Sequence, residues 1–114
     1  MRFDSEKIEE YHFHVYYIPE TRDSAVTLRN ALMQLKGVKI QVYSLSDGPR
    51  GPHVSAMFGV DVPRGDVPMV LGFLMVNHGT HSVLLHPTTD NALLDHTEHA
   101  FWLGKPTTLD LSKV

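Results

Sequence analysis

Histidine occurs eight times in this chain, as often as glycine, although it is not among the common residues of globular proteins. Two of the eight stand in His12-Phe13-His14, inside the alternating aromatic run YHFHVYYI at 11–18, which reads as a β-strand. Residues i and i+2 of a strand project to one face, roughly 6.5–7 Å apart at Cα. Two imidazoles so placed can converge on one metal ion at roughly 2.0–2.1 Å per bond. A third ligand must then come from a neighbouring strand, and His86 and His53 are the candidates. His53 depends on register: without stagger it falls nearer Tyr16 than His12. Tyr16 shares the face of His12 and His14 and can offer a phenol or line a pocket. His78 and His81 flank Gly79 after a helix and read as structural or solvated. In Asp95-His96-Thr97-Glu98-His99 the two histidines share a helical face. They suit a second metal site, a proton relay or a polar helix surface.

Periodicity supplies the elements that must position these groups. Residues 23–36 carry Ala25, Leu28, Leu32 and Leu35 on one helical face, with Asp23 or Ser24 to cap and Gly37 to terminate. Residues 38–44 and 53–60 alternate as strands, separated by the turn-rich loop SDGPRGP. DVPRGDVP reads as a second loop. A helix then runs from an Asp66 cap to about Asn77, apolar nearly all round and therefore expected to be buried on more than one side. HSVLLH at 81–86 is a fourth strand. A short helix from about Ala92 and a packed aromatic end follow. The chain is thus expected to be one α+β domain of ferredoxin-like βαββαβ order. Its core spans about 10–104, with 105–114 as a tail. Four antiparallel strands carry both helices on one face, and the first strand lies between the third and fourth. Phe13, Val15, Ile40, Val42, Val54, Phe58, Val83 and Leu85 would pack under the helices. His12, His14, Tyr16, His53, Ser55, Met57 and His86 would share the open face.

Composition limits the alternatives. The chain has 114 residues, 42% hydrophobic and 20% charged, as a single globular domain does. It has no cysteine, which excludes disulfides, thiolate metal sites and a cysteine nucleophile and favours the cytoplasm. The N-terminal MRFDSEKIEE has no apolar signal core. The longest apolar stretch, Val67 to Val76, is too short for a bilayer. Net charge is −3, so nucleic acid is not an expected partner. No GxSxG serine and no phosphate-cradling glycine loop is present.

The pieces YHFHVYY at 11–17, GPH at 51–53, LLHPTTD at 84–90 and DHTEHAFWLG at 95–104 occur in the order and spacing of a known family. On these motifs the chain resembles the DOPA 4,5-dioxygenase family over about residues 10–104. The resemblance implies a ferredoxin-like fold and extradiol cleavage of a DOPA-like catechol by O2 at a non-haem ferrous ion. It also implies that His12, His14, His53, His86 and His96 are the family's histidines. With no carboxylate evident on the open face, a His-ligated metal site drawn from His12, His14, His53 and His86 is expected. It would hold Fe(II), with zinc a possible occupant as isolated. His96 and Tyr16 are the expected catalytic groups, and Met57, Leu84 and Trp102 an apolar wall. The competing reading is a non-catalytic homodimer, paired through the open sheet face, whose histidines bind structural zinc or sense a small molecule.

Overall fold

The computed structural model describes residues 5–114, so the first four residues of the acidic N-terminal stretch lie outside the described residues. The elements are β1 (Glu10–Tyr16), α1 (Arg22–Met33), β2 (Gln41–Val42), β3 (Met57–Pro63), α2 (Val67–Asn77), β4 (Val83–Pro87), α3 (Ala92–Asp95) and β5 (Phe101–Leu103). They form an α+β fold on one antiparallel sheet of order β2-β3-β1-β4-β5. The first strand is central, between β3 and β4, as the crossover rule requires. The sheet has five strands, not four: Phe101–Leu103, read from sequence as a packed end, pairs with Val83–Leu85.

One face of the sheet packs against both long helices. Phe13, Val15, Phe58, Val60, Val62 and Val83 meet Ala25, Leu28 and Leu32 of α1 and Val70 and Leu74 of α2. Each fully buried large side chain here is worth about 1.5–3 kcal/mol over exposure. The α1 start is not capped as expected. The helix begins at Arg22, and Ser24 instead bonds His81 Nε2 at 2.8 Å. Asp66 stands at the N-cap of α2 but makes no cap bond, its Oδ2 accepting from the Lys39 amide. Nor is α2 buried on several sides. Only Val70 and Leu74 are buried, while Met69, Met75 and Val76 are exposed, Val76 at 81%.

The third strand is displaced along the sequence. It was expected at 53–60 but runs 57–63, so Val54 is 47% exposed and contributes nothing to the core. The shift follows from the apolar alternation Phe58, Val60, Val62, which continues through the segment read as a loop. Pro63 is tolerated because it ends the strand. The opposite face is covered in part. Tyr16, Met57 and Leu84 form a second apolar cluster there, roofed by Ala100, Trp102 and Leu109. Residues 105–114 are therefore not a free tail: Leu109 bridges His53, and the Asp110 amide donates to Pro52 O at 2.7 Å. This cover belongs to the same chain and lies over one end of the face.

Candidate metal centre

Register decides which side chains meet. On β1, His12 lies directly opposite His86 of β4 and Asp61 of β3, and His14 lies opposite Leu84 and Gly59. Strand pleat then puts His12, His14, His86, Asp61 and Gly59 on the face away from the helices. The imidazoles gather as expected. Ring centroids are 5.2 Å apart for His12–His86 and His14–His86, 6.1 Å for His12–His14 and 4.1 Å for His14–His53. His96, leaving the end of α3, reaches the same cluster with its ring 4.3 Å from that of His86.

Ligand nitrogens of His12, His14 and His86 all lie within 4.8 Å of one another. His14 Nε2 and His86 Nε2 are 3.1 Å apart. Two nitrogens each at ~2.0–2.1 Å from a common ion, subtending about 100°, have this spacing. His86 donates Nδ1–H to Pro87 O at 2.8 Å, which leaves its Nε2 a lone pair directed into the cluster. Without an ion, His14 Nε2–H must donate to that lone pair. His14 Nδ1 then remains buried with no partner, one of two such side-chain atoms among the described residues. A cation in place of the shared proton turns one hydrogen bond into two coordinate bonds. The donor set thus fits an imidazole-binding metal such as iron or zinc.

His53 is held differently. It precedes β3, in a tight turn where Arg50 and His53 exchange both backbone hydrogen bonds at 2.9 Å. Its Nδ1 is 2.8 Å from Tyr16 Oη, whose ring stacks on Trp102. It lies over His14 but outside the converging trio. Burial, then the neighbouring imidazoles, keeps His14 well below the ordinary histidine range and holds His53 at about 4. Burial likewise takes His86 to about 4, the Pro87 carbonyl opposing and His96 and His12 adding. All three are neutral near pH 7, the form that ligates. Burial raises the Tyr16 hydroxyl, so it stays protonated beside His53 Nδ1.

The Asp95–His99 stretch divides rather than forming a second site. His96 joins the cluster, while His99 Nδ1 bonds Asp95 Oδ1 at 2.9 Å. The buried Asp95 also accepts from the Thr89 amide and hydroxyl at 2.8 and 2.6 Å, and so holds the loop after β4. Its burial pushes the carboxyl up, but the Thr89 and His99 bonds outweigh this and keep it below the usual range. His81 is buried and structural, between Ser24 and Tyr16 O, and His78 bonds His81 O.

Carboxylates are present at the site, against expectation. Asp61 Oδ1 lies 3.1 Å from His12 Nε2, and Glu10 Oε1 lies 3.6 Å from the same nitrogen. Glu10, His12 and Asp61 themselves form a second group able to hold a metal ion. Asp61 was missed because DVP was taken as loop; the continued alternation after Gly59 was the available signal. Asp61 Oδ2 accepts from the Tyr43 hydroxyl. Next to these groups opens a pocket of about 520 Å³ lined by His12, His14, Tyr43, Arg50, Met57 and Asp61 among others. Gly59 forms part of its wall, and a Cβ there would come within 3.6 Å of His14 Nδ1.

The antiparallel α+β sheet thus presents, beside this pocket, a histidine cluster able to hold a metal ion. Residues 11–113 match the Dopa 4,5-dioxygenase family, and the chain belongs to that family. It is 31% identical to a DOPA 4,5-dioxygenase of Amanita muscaria over 118 positions, covering 97% of this chain and 51% of the relative. It is also 31% identical to an uncharacterized 21.2 kDa protein of Botryotinia fuckeliana, covering 89% of this chain and 61% of that one. The chain thus spans little more than half the length of these curated relatives. The crystal structure of a "putative dioxygenase" from Nostoc punctiforme superposes with a TM-score of 0.88 at 30% identity, covering 97% of this chain and 95% of that one.

Proposed function

We propose that the chain is an extradiol dioxygenase that opens a catechol ring with O2 at a ferrous ion held by His12, His14 and His86. The observation that carries this reading is the convergence of those three histidines beside a pocket large enough for a substituted catechol. Family membership supports the reaction class. When bound, the ion supplies a Lewis-acidic, redox-active centre that acidifies a catechol hydroxyl and couples the ring to O2. In the net reaction one ring carbon–carbon bond breaks and both oxygen atoms of O2 remain in the product.

The chain's own groups handle binding and protons. His96 donates Nδ1–H to Ala92 O at 2.7 Å, so its Nε2 keeps a lone pair and accepts the proton a catechol hydroxyl loses. Tyr16 Oη–H donates to His53 Nδ1, which places the His53 proton on Nε2 as a donor to developing negative charge. His12 is steered by Asp61, itself fixed by Tyr43. Trp102, Ala100 and Leu109, packed on Met57 and Leu84, give the cluster an apolar wall.

The test is metal analysis of anaerobically purified protein, Fe(II) loading, and addition of a catechol with O2 uptake and visible absorbance followed together. Stoichiometric O2 consumption with a yellow product is expected. Fe(II)-loaded protein that leaves a panel of catechols and dissolved O2 untouched would overturn the proposal.

A further inference from the structure

The turn that carries His53 also carries a cation. Arg50-Gly51-Pro52-His53 closes with reciprocal 2.9 Å hydrogen bonds between Arg50 and His53, and Gly51 takes φ +54. A two-residue turn with positive φ at its first central position and proline at the second is the type II′ form that needs glycine there. Residues paired across such a turn send their side chains to the same face of the ribbon. The Arg50 side chain thereby leaves the turn on the side from which the His53 imidazole reaches His14, and it lines the same pocket as His12 and His14. The stem is anchored at Asp47, which accepts from Tyr17 Oη at 2.6 Å and from Arg22 Nε at 2.8 Å, and by the Ser46–Met57 bridge.

Charge accounting points to a ligand. The pocket has two formally charged side chains, Arg50 and Asp61. Both oxygens of Asp61 are occupied, by His12 and by the Tyr43 hydroxyl. The Arg50 guanidinium has no carboxylate or carbonyl partner among the described residues, whereas Arg29 and Arg64 each bond a backbone carbonyl and Arg22 makes two bonds to Asp47. An exposed guanidinium at the edge of a pocket with its fork empty suits a carboxylate, which it binds through two parallel hydrogen bonds.

We infer that Arg50 is the specificity anchor of this pocket, selecting catechols that carry a carboxylate on a short side chain over neutral or cationic ones. This rests on the catechol reading above, and it narrows that reading to the tail of the substrate: the free guanidinium reads the carboxylate, while the Asp61 carboxylate is already engaged by His12 and Tyr43. Ser44 and Ser46 also line this pocket.

The experiment compares kcat/KM of Fe(II)-loaded wild type for 3-(3,4-dihydroxyphenyl)propionate, 4-ethylcatechol and dopamine, then repeats the comparison in Arg50→Gln and Arg50→Lys. Wild type is expected to favour the carboxylate. The carboxylate-to-ethyl ratio should fall about 10- to 100-fold in Arg50→Gln, the loss of a charge-assisted hydrogen bond, and recover in part in Arg50→Lys. A parallel titration of metal-free protein with 3-phenylpropionate, followed by NMR, reads the anchor without ring cleavage. Arg50-dependent binding there with no turnover of any catechol would sink the enzyme reading and leave the anchor standing. Turnover with equal kcat/KM for the propionate and 4-ethylcatechol, or a ratio unmoved by Arg50→Gln, would overturn the anchor and leave the enzyme reading intact.

Discussion

Acid should unfold the metal-free protein before its carboxylates titrate. His53 and His86 drop from an ordinary 6.5 to about 4 in the folded chain, mainly through burial. Between these values the unfolded chain binds protons that the folded chain refuses, so stability falls as pH falls. The contribution is fully present above 6.5 and is lost as pH descends toward 4. Integrating the linkage from pH 7 to 5 gives about 1.8 kcal/mol for each group. Allowing for repulsion between adjacent imidazoles, the pair accounts for about 2–4 kcal/mol, a large share of the stability of a small domain. The assay is urea unfolding of chelator-treated protein at pH 7, 6 and 5, with histidine NMR titration of the native state alongside. Midpoints should drop steeply, and three of the eight imidazoles (His14, His53 and His86) should stay neutral down to about pH 5. Stability flat within 1 kcal/mol over this range, with all eight histidines titrating above pH 6, would refute the burial-and-crowding account.

Other perturbations separate the site from its scaffold. His14→Ala should keep the far-UV circular dichroism of wild type while metal content, measured by mass spectrometry, falls below about a tenth of stoichiometric. Zinc or ferrous ion at a hundred times its Kd should raise wild-type stability by about 2.7 kcal/mol in a thermal melt, an increment absent in His14→Ala. Asp95→Asn leaves three donors around a neutral amide and should cost about 2–4 kcal/mol in urea, since each bond to the carboxylate is charge-assisted. Tyr16→Phe keeps the stack on Trp102 but removes the bond to His53; it should cost about 1 kcal/mol and lower kcat more than it raises KM.

Much of the site was legible because strand pleat is a strict period of two. His12 and His14 had to share a face, and antiparallel pairing had to bring His86 beside His12 once β1 was central. The GPH histidine reached the cluster by another route. It sits in a turn before the strand, where alternation carries no information, and reciprocal bonding to Arg50 sets its direction instead. Asp61 escaped notice because proline and glycine after it mimic a loop, although Phe58, Val60 and Val62 continue the apolar rhythm through it. The fifth strand is three residues long, too short for periodicity to register. The roof of the cluster was hidden for a similar reason: Leu109 and Asp110 act through single backbone contacts with the 52–53 segment, and no pattern announces an isolated bridge.

That bridge has a mechanical consequence. The peptide of His53 is the middle rung between two ladders, clamped by Arg50 on one side and Leu109 on the other. Loosening the far rung, for instance with proline in place of Asp110, whose amide makes the bond to Pro52 O, would tilt the imidazole plane without touching any group that meets a ligand. The stretch least suggestive of chemistry in the sequence thus acts as the tensioning screw for the residue whose ring lies 4.1 Å from that of His14.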